Sequence, residues 1–107
     1  MVIRGAVYRI DLGKPRGHEQ GGRRYGVALA PADGSNWSVA IVVPTSTSAA
    51  PAQFRPEAEL MGERTVLLVD QMRAIDTAYI IGEPEDYLGP GELFDLELAV
   101  GRYIGIM

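Results

Sequence analysis

The chain contains the stretch WSVAIVV at residues 37–43, which is rich in β-branched side chains and is followed by Pro44. β-branched residues favour strands, and proline cannot donate a hydrogen bond to a sheet. We therefore predict a buried strand that ends before Pro44. The apolar run 25–30 precedes it, and the turn-forming residues 31–36 separate the two. The two runs are expected to pair as a hairpin.

Further strands are predicted on both sides of this hairpin. Residues 5–12 (GAVYRIDL) end in alternating apolar and charged side chains, the pattern of a half-buried strand. Residues 54–60 give a weak edge strand, and 65–69 (TVLLV) give a strong buried strand. Residues 13–24 hold four glycines and one proline and predict a long loop, a kind of segment that is often functional. Residues 45–51 predict a connection or one short helical turn.

The last segment has a different periodicity. After Gly89-Pro90-Gly91, apolar side chains recur at spacings of three and four residues, and three acidic residues lie early, where a helix dipole favours them. This pattern predicts an amphipathic C-terminal helix. Strands followed by one terminal helix predict a mainly β fold, a compact curved antiparallel sheet or small barrel closed by the helix. The apolar stripe consists of Leu93, Leu96, Val100 and Ile104.

Length and composition set the class of protein. The 107 residues have the size of one domain, so residues 1–107 are treated as a single unit. The chain has no cysteine, which excludes disulfides and thiolate metal sites. The first residues lack the apolar stretch of a signal peptide, and no run is long enough for a membrane span. We expect a cytoplasmic protein with no membrane partner.

The net charge of −4 is unevenly distributed along the chain. Residues 1–24 hold six basic and two acidic groups, a net charge of +4, whereas residues 25–107 carry −8. A local basic field can attract phosphate groups even when the remaining surface is acidic. A solvated basic edge with no ligand explains the same charges equally well.

Several kinds of catalytic site are excluded or unsupported. His18 is the only histidine, so a mechanism with two histidines is impossible, and we expect it to contact substrate or to be a bystander rather than to act in catalysis. No spacing of ligands suggests a metal site, and we expect no cofactor. The loop lacks the Gly-Lys-Ser/Thr ending of a phosphate-binding P-loop.

Arginines beside a hydroxyl-rich segment remain as candidates. Arg23 and Arg24 follow two glycines, and residues 45–48 (TSTS) supply hydroxyl groups. A guanidinium matches the paired oxygens of a phosphate, and hydroxyls can donate to phosphoryl oxygens. Metal-free RNA cleavage needs little more than alignment, charge stabilisation and proton transfer. A surface arginine pair beside a capped turn is the alternative that these residues alone leave open.

Four segments together resemble the MazF/PemK family of toxin–antitoxin ribonucleases. They run in the family's order and span essentially the whole chain. The combination of the Glu-Gln-Gly-Gly-x-Arg loop with Asp-Gln-x-Arg-x-Ile is the specific part of the match. The segments are residues 4–12 (RGAVYRIDL), 17–24 (GHEQGGRR), 42–47 (VVPTST) and 68–75 (LVDQMRAI).

The resemblance implies a small SH3-like twisted β-barrel or sheet with a C-terminal helix, assembled as a homodimer. It further implies an endoribonuclease toxin that cleaves single-stranded RNA without a metal, leaves 2′,3′-cyclic phosphate and 5′-hydroxyl ends, and is inhibited by a cognate antitoxin. Messenger, transfer and ribosomal RNA all remain open as targets. Two other functions are weighed beside it: a non-catalytic toxin of the same fold that binds a protein such as gyrase, and a plain SH3-like binding module.

The resemblance also assigns roles to individual residues. The family's catalytic arginine corresponds to Arg24, and its catalytic hydroxyl corresponds to Ser46, with Thr45 or Thr47 selected if the register shifts by one residue. Tyr25 replaces a common proline and offers a ring for base stacking, and His18 replaces a frequent serine. The expected substrate-binding residues are His18, Glu19, Gln20, Gly21, Gly22, Arg23, Tyr25, Gln71 and Arg73.

Overall fold

The computed structural model describes residues 1–13, Gly17 and 23–107, with only the backbone at Arg23. The described chain forms strands, two short 3-10 turns and one helix. The strands are β1 (Ala6–Asp11), β2 (Arg23–Ala30), β3 (Val39–Ser46), β4 (Glu57–Leu60), β5 (Glu63–Leu67), β6 (Arg73–Asp76) and β7 (Ile80–Tyr87). The 3-10 turns are Val69–Gln71 and Thr77–Tyr79, and the helix α1 is Pro90–Ile104. A mainly β fold with one C-terminal helix is confirmed.

The strands pair antiparallel in the order β4-β5-β3-β2-β1-β7, and β6 pairs with β3. Strand β3 is the centre of this arrangement because it changes partners along its length. Its first half pairs with β6, its middle pairs with β2 up to Pro44, and Thr45 and Ser46 pair with β5. The predicted hairpin of two apolar runs is therefore present as β2 and β3.

Two buried clusters make the core. The first joins side chains of β1, β2 and β3 to Leu96 and Ala99 of α1, and the second includes Tyr8, Ile10 and other side chains of β1–β3. Alternate residues of these strands enter different clusters, so β1, β2 and the second half of β3 are buried on both faces, whereas Val39 and Ile41 leave one face of the first half of β3 exposed. The expectation that β1 is half-buried was wrong, since in its first five residues only Arg9 is exposed.

Two predicted boundaries near the site also differ from the structure. The loop expected to reach Arg24 ends earlier, because the backbones of Arg23 and Arg24 pair with Asp11 and Ile10 of β1. Strand β3 continues two residues past Pro44. A proline is tolerated there because β3 passes from one partner to the next at this point, and the Pro44 carbonyl accepts a hydrogen bond from Leu68 N at 2.9 Å.

The two ends of the sheet path are joined by hydrogen bonds. The Met61 N–H, in the turn between β4 and β5, donates to Asp86 Oδ2 of β7 at 2.7 Å. The Glu92 carboxylate of α1 accepts from Glu59 N of β4 at 2.8 Å and from Gly89 N at 2.9 Å. These contacts hold the sheet curled, with the helix start fixed to strand β4.

A bidentate ion pair holds the segment between β3 and β4 to the first 3-10 turn. Arg55 Nε and a terminal guanidinium nitrogen donate to the two Asp70 carboxylate oxygens at 2.9 and 2.7 Å. Arg55 is the main cause that lowers the pKa of Asp70 below its ordinary value. The stabilisation is therefore present above the unfolded-state pKa, near 4, and is lost as pH falls through the lower folded-state value.

We expect Asp70→Asn to lower the free energy of unfolding by about 1.5 kcal/mol at pH 7, because charged hydrogen bonds are lost from a site that is mostly shielded from water. Urea unfolding at several pH values measures this. The difference from the parent should begin to shrink below about pH 4, where Asp70 of the unfolded parent takes up a proton, and should vanish once the pH falls below the lower folded-state pKa. Exposed Asp95→Asn on α1 is the control. A difference that stays constant down to the lowest pH at which both chains fold would contradict the ion-pair explanation.

Candidate active site

A cleft of about 350 Å³ opens where β2, β3 and the β4–β5 hairpin meet. The described residues contribute one guanidinium, several hydroxyls, one carboxylate and an apolar wall to it. Arg24 and the three candidate hydroxyl residues thus lie on one cleft, although 21 positions or more separate them in sequence. The described lining residues are Arg24, Tyr25, Thr45, Ser46, Thr47, Leu60, Met61, Glu63 and Thr65.

Arg24 and Tyr25 are the second and third residues of strand β2. Arg24 is half-buried and pairs with Ile10, whereas Tyr25 pairs with Arg9 and packs against the first core cluster. Gly26 follows them because the strands approach closely there. A Cβ atom at position 26 would lie 2.6 Å from Cδ1 of the fully buried Ile10. Arg24 is therefore held on a rigid strand rather than on a loop.

The three candidate hydroxyls differ in their hydrogen bonds. Thr45 is buried, and its Oγ1 donates to the Tyr25 carbonyl at 2.9 Å. Ser46 Oγ accepts from Ser48 N at 3.2 Å and from Ala49 N at 3.0 Å, and it lies 3.3 Å from Ser48 Oγ, where either hydroxyl can donate, so its proton is not committed to the backbone. Thr47 is exposed. The proton of Thr45 is committed to the backbone, which leaves Ser46 and Thr47 better suited to donate to a ligand.

The third side of the cleft was missed by the sequence analysis. Strands β4 and β5 form a hairpin in which Leu60 pairs with Glu63, and Met61 and Gly62 make its two-residue turn. Glu63 is exposed, and Thr65 is buried with its Oγ1 donating to the Glu63 carbonyl at 3.1 Å. The pair of runs 57–60 and 63–67 around Met-Gly was the available signal, since glycine is common in such turns.

Not every expected substrate-binding residue lies on this cleft. Gln71 follows Asp70 on the first 3-10 turn, and its side chain hydrogen-bonds to that carboxyl group. Arg73 lines a different cleft of about 370 Å³ together with Asp11, Asp76 and Tyr79, among others. The structure therefore separates Arg73 from the Arg24 cleft. His18, Glu19, Gln20, Gly21 and Gly22 lie outside the described residues, as does the side chain of Arg23.

Part of the positive charge of residues 1–24 is paired within the fold. Arg4 donates to Glu97 of α1 at 2.6 Å and to the Leu29 carbonyl at 2.5 Å. Its charge is paired with Glu97, so this arginine links the N-terminal segment to α1. Among the described residues, no group of three or more His, Asp or Glu side chains could hold a metal ion.

The cleft combines groups that suit a phosphodiester. A guanidinium stabilises negative charge on phosphoryl oxygens, hydroxyls donate to them, and the Glu63 carboxylate can accept a proton. No helix in the described part of the chain is long and apolar enough to cross a membrane.

Comparison with known proteins identifies the family of this chain. The model of the PemK-like, MazF-like toxins of type II toxin–antitoxin systems matches residues 3–101. A candidate toxin of Mycobacterium tuberculosis (strain ATCC 25618 / H37Rv) is 57% identical over 107 residues, covering 99% of this chain and 100% of that protein.

Solved structures agree in fold. MazF from Deinococcus radiodurans superposes with a TM-score of 0.80 at 25% identity, covering 96% of each chain. An endoribonuclease from a mycobacterial species, in complex with its cognate antitoxin, gives a TM-score of 0.80 at 16% identity, covering 100% of this chain and 98% of that one. The small twisted β fold with a C-terminal helix is thus that of the MazF toxins, and the chain belongs to the PemK-like, MazF-like toxin family of type II toxin–antitoxin systems.

Proposed function

We propose that the chain is a metal-independent endoribonuclease that cleaves single-stranded RNA and that a cognate antitoxin inhibits. The observation that carries this proposal is the meeting of Arg24 with the hydroxyls of residues 45–47 in one cleft. Family membership supports it, as does the mycobacterial structure described as an endoribonuclease bound to its antitoxin.

The reaction that we propose is an internal transesterification. The ribose 2′-oxygen attacks the adjacent phosphorus and loses its proton, a new O2′–P bond forms, and the P–O5′ bond breaks as O5′ takes up a proton. The products are a 2′,3′-cyclic phosphate and a 5′-hydroxyl. Arg24 stabilises the added charge on the phosphoryl oxygens, and Ser46 donates to one of them. Ser46 is preferred over Thr45 because its proton is not committed to the backbone.

The purified chain, incubated with single-stranded RNA in EDTA, tests this proposal directly. Cleavage should persist in EDTA, and the 3′ fragments should carry 5′-hydroxyl ends that polynucleotide kinase can label without prior phosphatase. Single-stranded DNA of the same sequence should remain intact because it lacks the 2′-hydroxyl. Growth arrest on expression with no cut in any RNA class would favour a toxin that acts by binding a protein.

A homodimer is the assembly that we propose. The residues at the end of α1 and after it leave large apolar side chains exposed beside strand β3. Ile104, Ile106 and Met107 line, together with Ile41, a largely apolar groove of about 490 Å³. Monomeric proteins seldom expose apolar patches of several hundred Å² without a partner. A second copy of the chain is the partner that we assign to this groove.

Ile104→Glu is expected to reduce the mass in solution from twice 11.6 kDa to 11.6 kDa, since a buried charge at the contact would be unpaired. Light scattering coupled to size exclusion measures the mass. Phe94→Glu on the same helix, exposed and outside the groove, is the control and should leave the mass unchanged. A parent chain that already has the mass of a monomer at micromolar concentration would refute the assembly.

A further inference from the structure

Met61 has an unusual backbone conformation. Its φ angle is +49°, and it is the only described residue other than glycine with a positive φ. It occupies the first position of a two-residue hairpin turn, with Gly62 at +76° in the second. Such turns favour asparagine, aspartate or glycine at both positions, because a larger side chain is strained there. A strained residue that persists often serves a function.

The surroundings hold this strained turn in place. The Met61 N–H donates to Asp86 Oδ2 at 2.7 Å, and the Asp86 carboxylate also accepts from Tyr87 N at 2.7 Å. These two backbone N–H groups lower the pKa of Asp86, so the carboxylate stays ionised at neutral pH. Strand β7 thus holds the turn, and the Met61 backbone stays attached to β7 at Asp86.

The Met61 side chain is exposed to 39% and lines the same cleft as Arg24. Leu60 and Tyr25 line the cleft beside it, so one wall is apolar although the cleft also carries a guanidinium, hydroxyls and a carboxylate. Binding of a phosphate alone would require only the guanidinium and the hydroxyls. A nucleotide needs both, because its phosphate is charged and its base presents a flat apolar face.

We propose that Met61 and Tyr25 form a nucleobase subsite, in which a base next to the cleaved phosphate packs against the Met61 thioether and the Tyr25 ring. This inference rests on the proposed function, since it takes single-stranded RNA as the ligand. A flexible, polarisable thioether makes favourable contacts with aromatic rings. The subsite therefore contributes to the choice of base at the cleavage position.

Met61→Asn tests the subsite because it should weaken RNA binding without lowering the stability of the fold. Asparagine adopts a positive φ more readily than methionine, so the melting temperature of the variant should equal or exceed that of the parent. Binding of a random single-stranded RNA pool with 2′-O-methyl riboses, which cannot be cleaved, should weaken by about tenfold. Binding of inorganic polyphosphate, which has no base, should not change. Phe94→Asn on α1, exposed to 58%, is the matched control.

Each outcome decides between the two proposals. If the parent cleaves RNA and Met61→Asn cleaves and binds as the parent does, the subsite is refuted and the endoribonuclease stands. If the parent cleaves no RNA but Met61→Asn alone weakens binding of the 2′-O-methyl pool, the subsite stands and the endoribonuclease fails. A fall in melting temperature together with affinity would make Met61 a packing residue and overturn the inference. Failure of the parent to bind the pool would overturn it as well.

Discussion

Replacement of Arg24 by alanine is expected to reduce the rate of RNA cleavage by about 10³-fold, the loss seen when one stabilising donor is removed from a charged transition state. The reason is geometric as well as electrostatic. Arg24 lies on the paired part of β2, beside the hydroxyls of Thr45 and Ser46, so its guanidinium needs little reorganisation when charge develops on the phosphoryl group. Initial rates on a single-stranded RNA substrate in EDTA measure the effect.

Two further variants separate the role of Arg24 from charge and folding. Arg24→Lys keeps the charge but not the planar fork, so it should recover only part of the rate. Arg102→Ala removes an exposed arginine of α1 and should cut RNA as the parent does. All three variants should retain the parent's circular dichroism spectrum. An Arg24→Ala chain that cleaves at the parental rate would refute the assignment of the catalytic arginine.

Leu96→Ala should have the largest effect on stability, a loss of about 3 kcal/mol in the free energy of unfolding. Leu96 is fully buried and joins α1 to the core side chains Val7, Val27 and Val43 of three strands. The lost contacts and the cavity both contribute, and the loss is a large part of the stability of a domain of this size.

Thermal unfolding followed by circular dichroism should show a melting temperature lower by about 12 °C or more. Phe94→Ala, two residues earlier on the same helix and 58% exposed, should change stability by no more than about 0.5 kcal/mol. Equal losses from the two substitutions would contradict the assignment, because alanine is the better helix former at both positions and only Leu96 is buried against the strands.

The parts of the fold that the sequence predicted are those with a local pattern. The helix was expected after Gly89-Pro90-Gly91, and α1 begins at Pro90. The runs that became β2 and β3 were clear because they are almost continuously apolar over six or more residues. Strand β7 was missed because most of its residues are exposed and it contains Gly82 and Pro84, which are unfavourable in a strand interior but tolerated in an edge strand.

Only the part of the cleft that has a local sequence pattern could be predicted. Arg24 and residues 45–47 belong to motifs that the sequence displays, although their joint position in one cleft depends on the pairing of β2 with β3. The hairpin that carries Met61, Glu63 and Thr65 has no such motif. Its approach to Arg24 follows from the change of partners of β3 and from the curl of the sheet, which are properties of the whole fold.

The hydrogen bond between Met61 and Asp86 has a consequence for synthesis of the chain. The ribosome makes Arg24 first, residues 45–47 next and the β4–β5 hairpin later, yet the residue that clamps this hairpin is translated 25 positions after Met61. Contacts between distant positions form slowly, because they require long stretches of chain to close. A nascent chain that ends before Asp86 therefore has every described lining residue of the cleft but lacks the carboxylate that holds the β4–β5 turn, so we expect an RNA-cutting activity housed there to require the synthesis of β7.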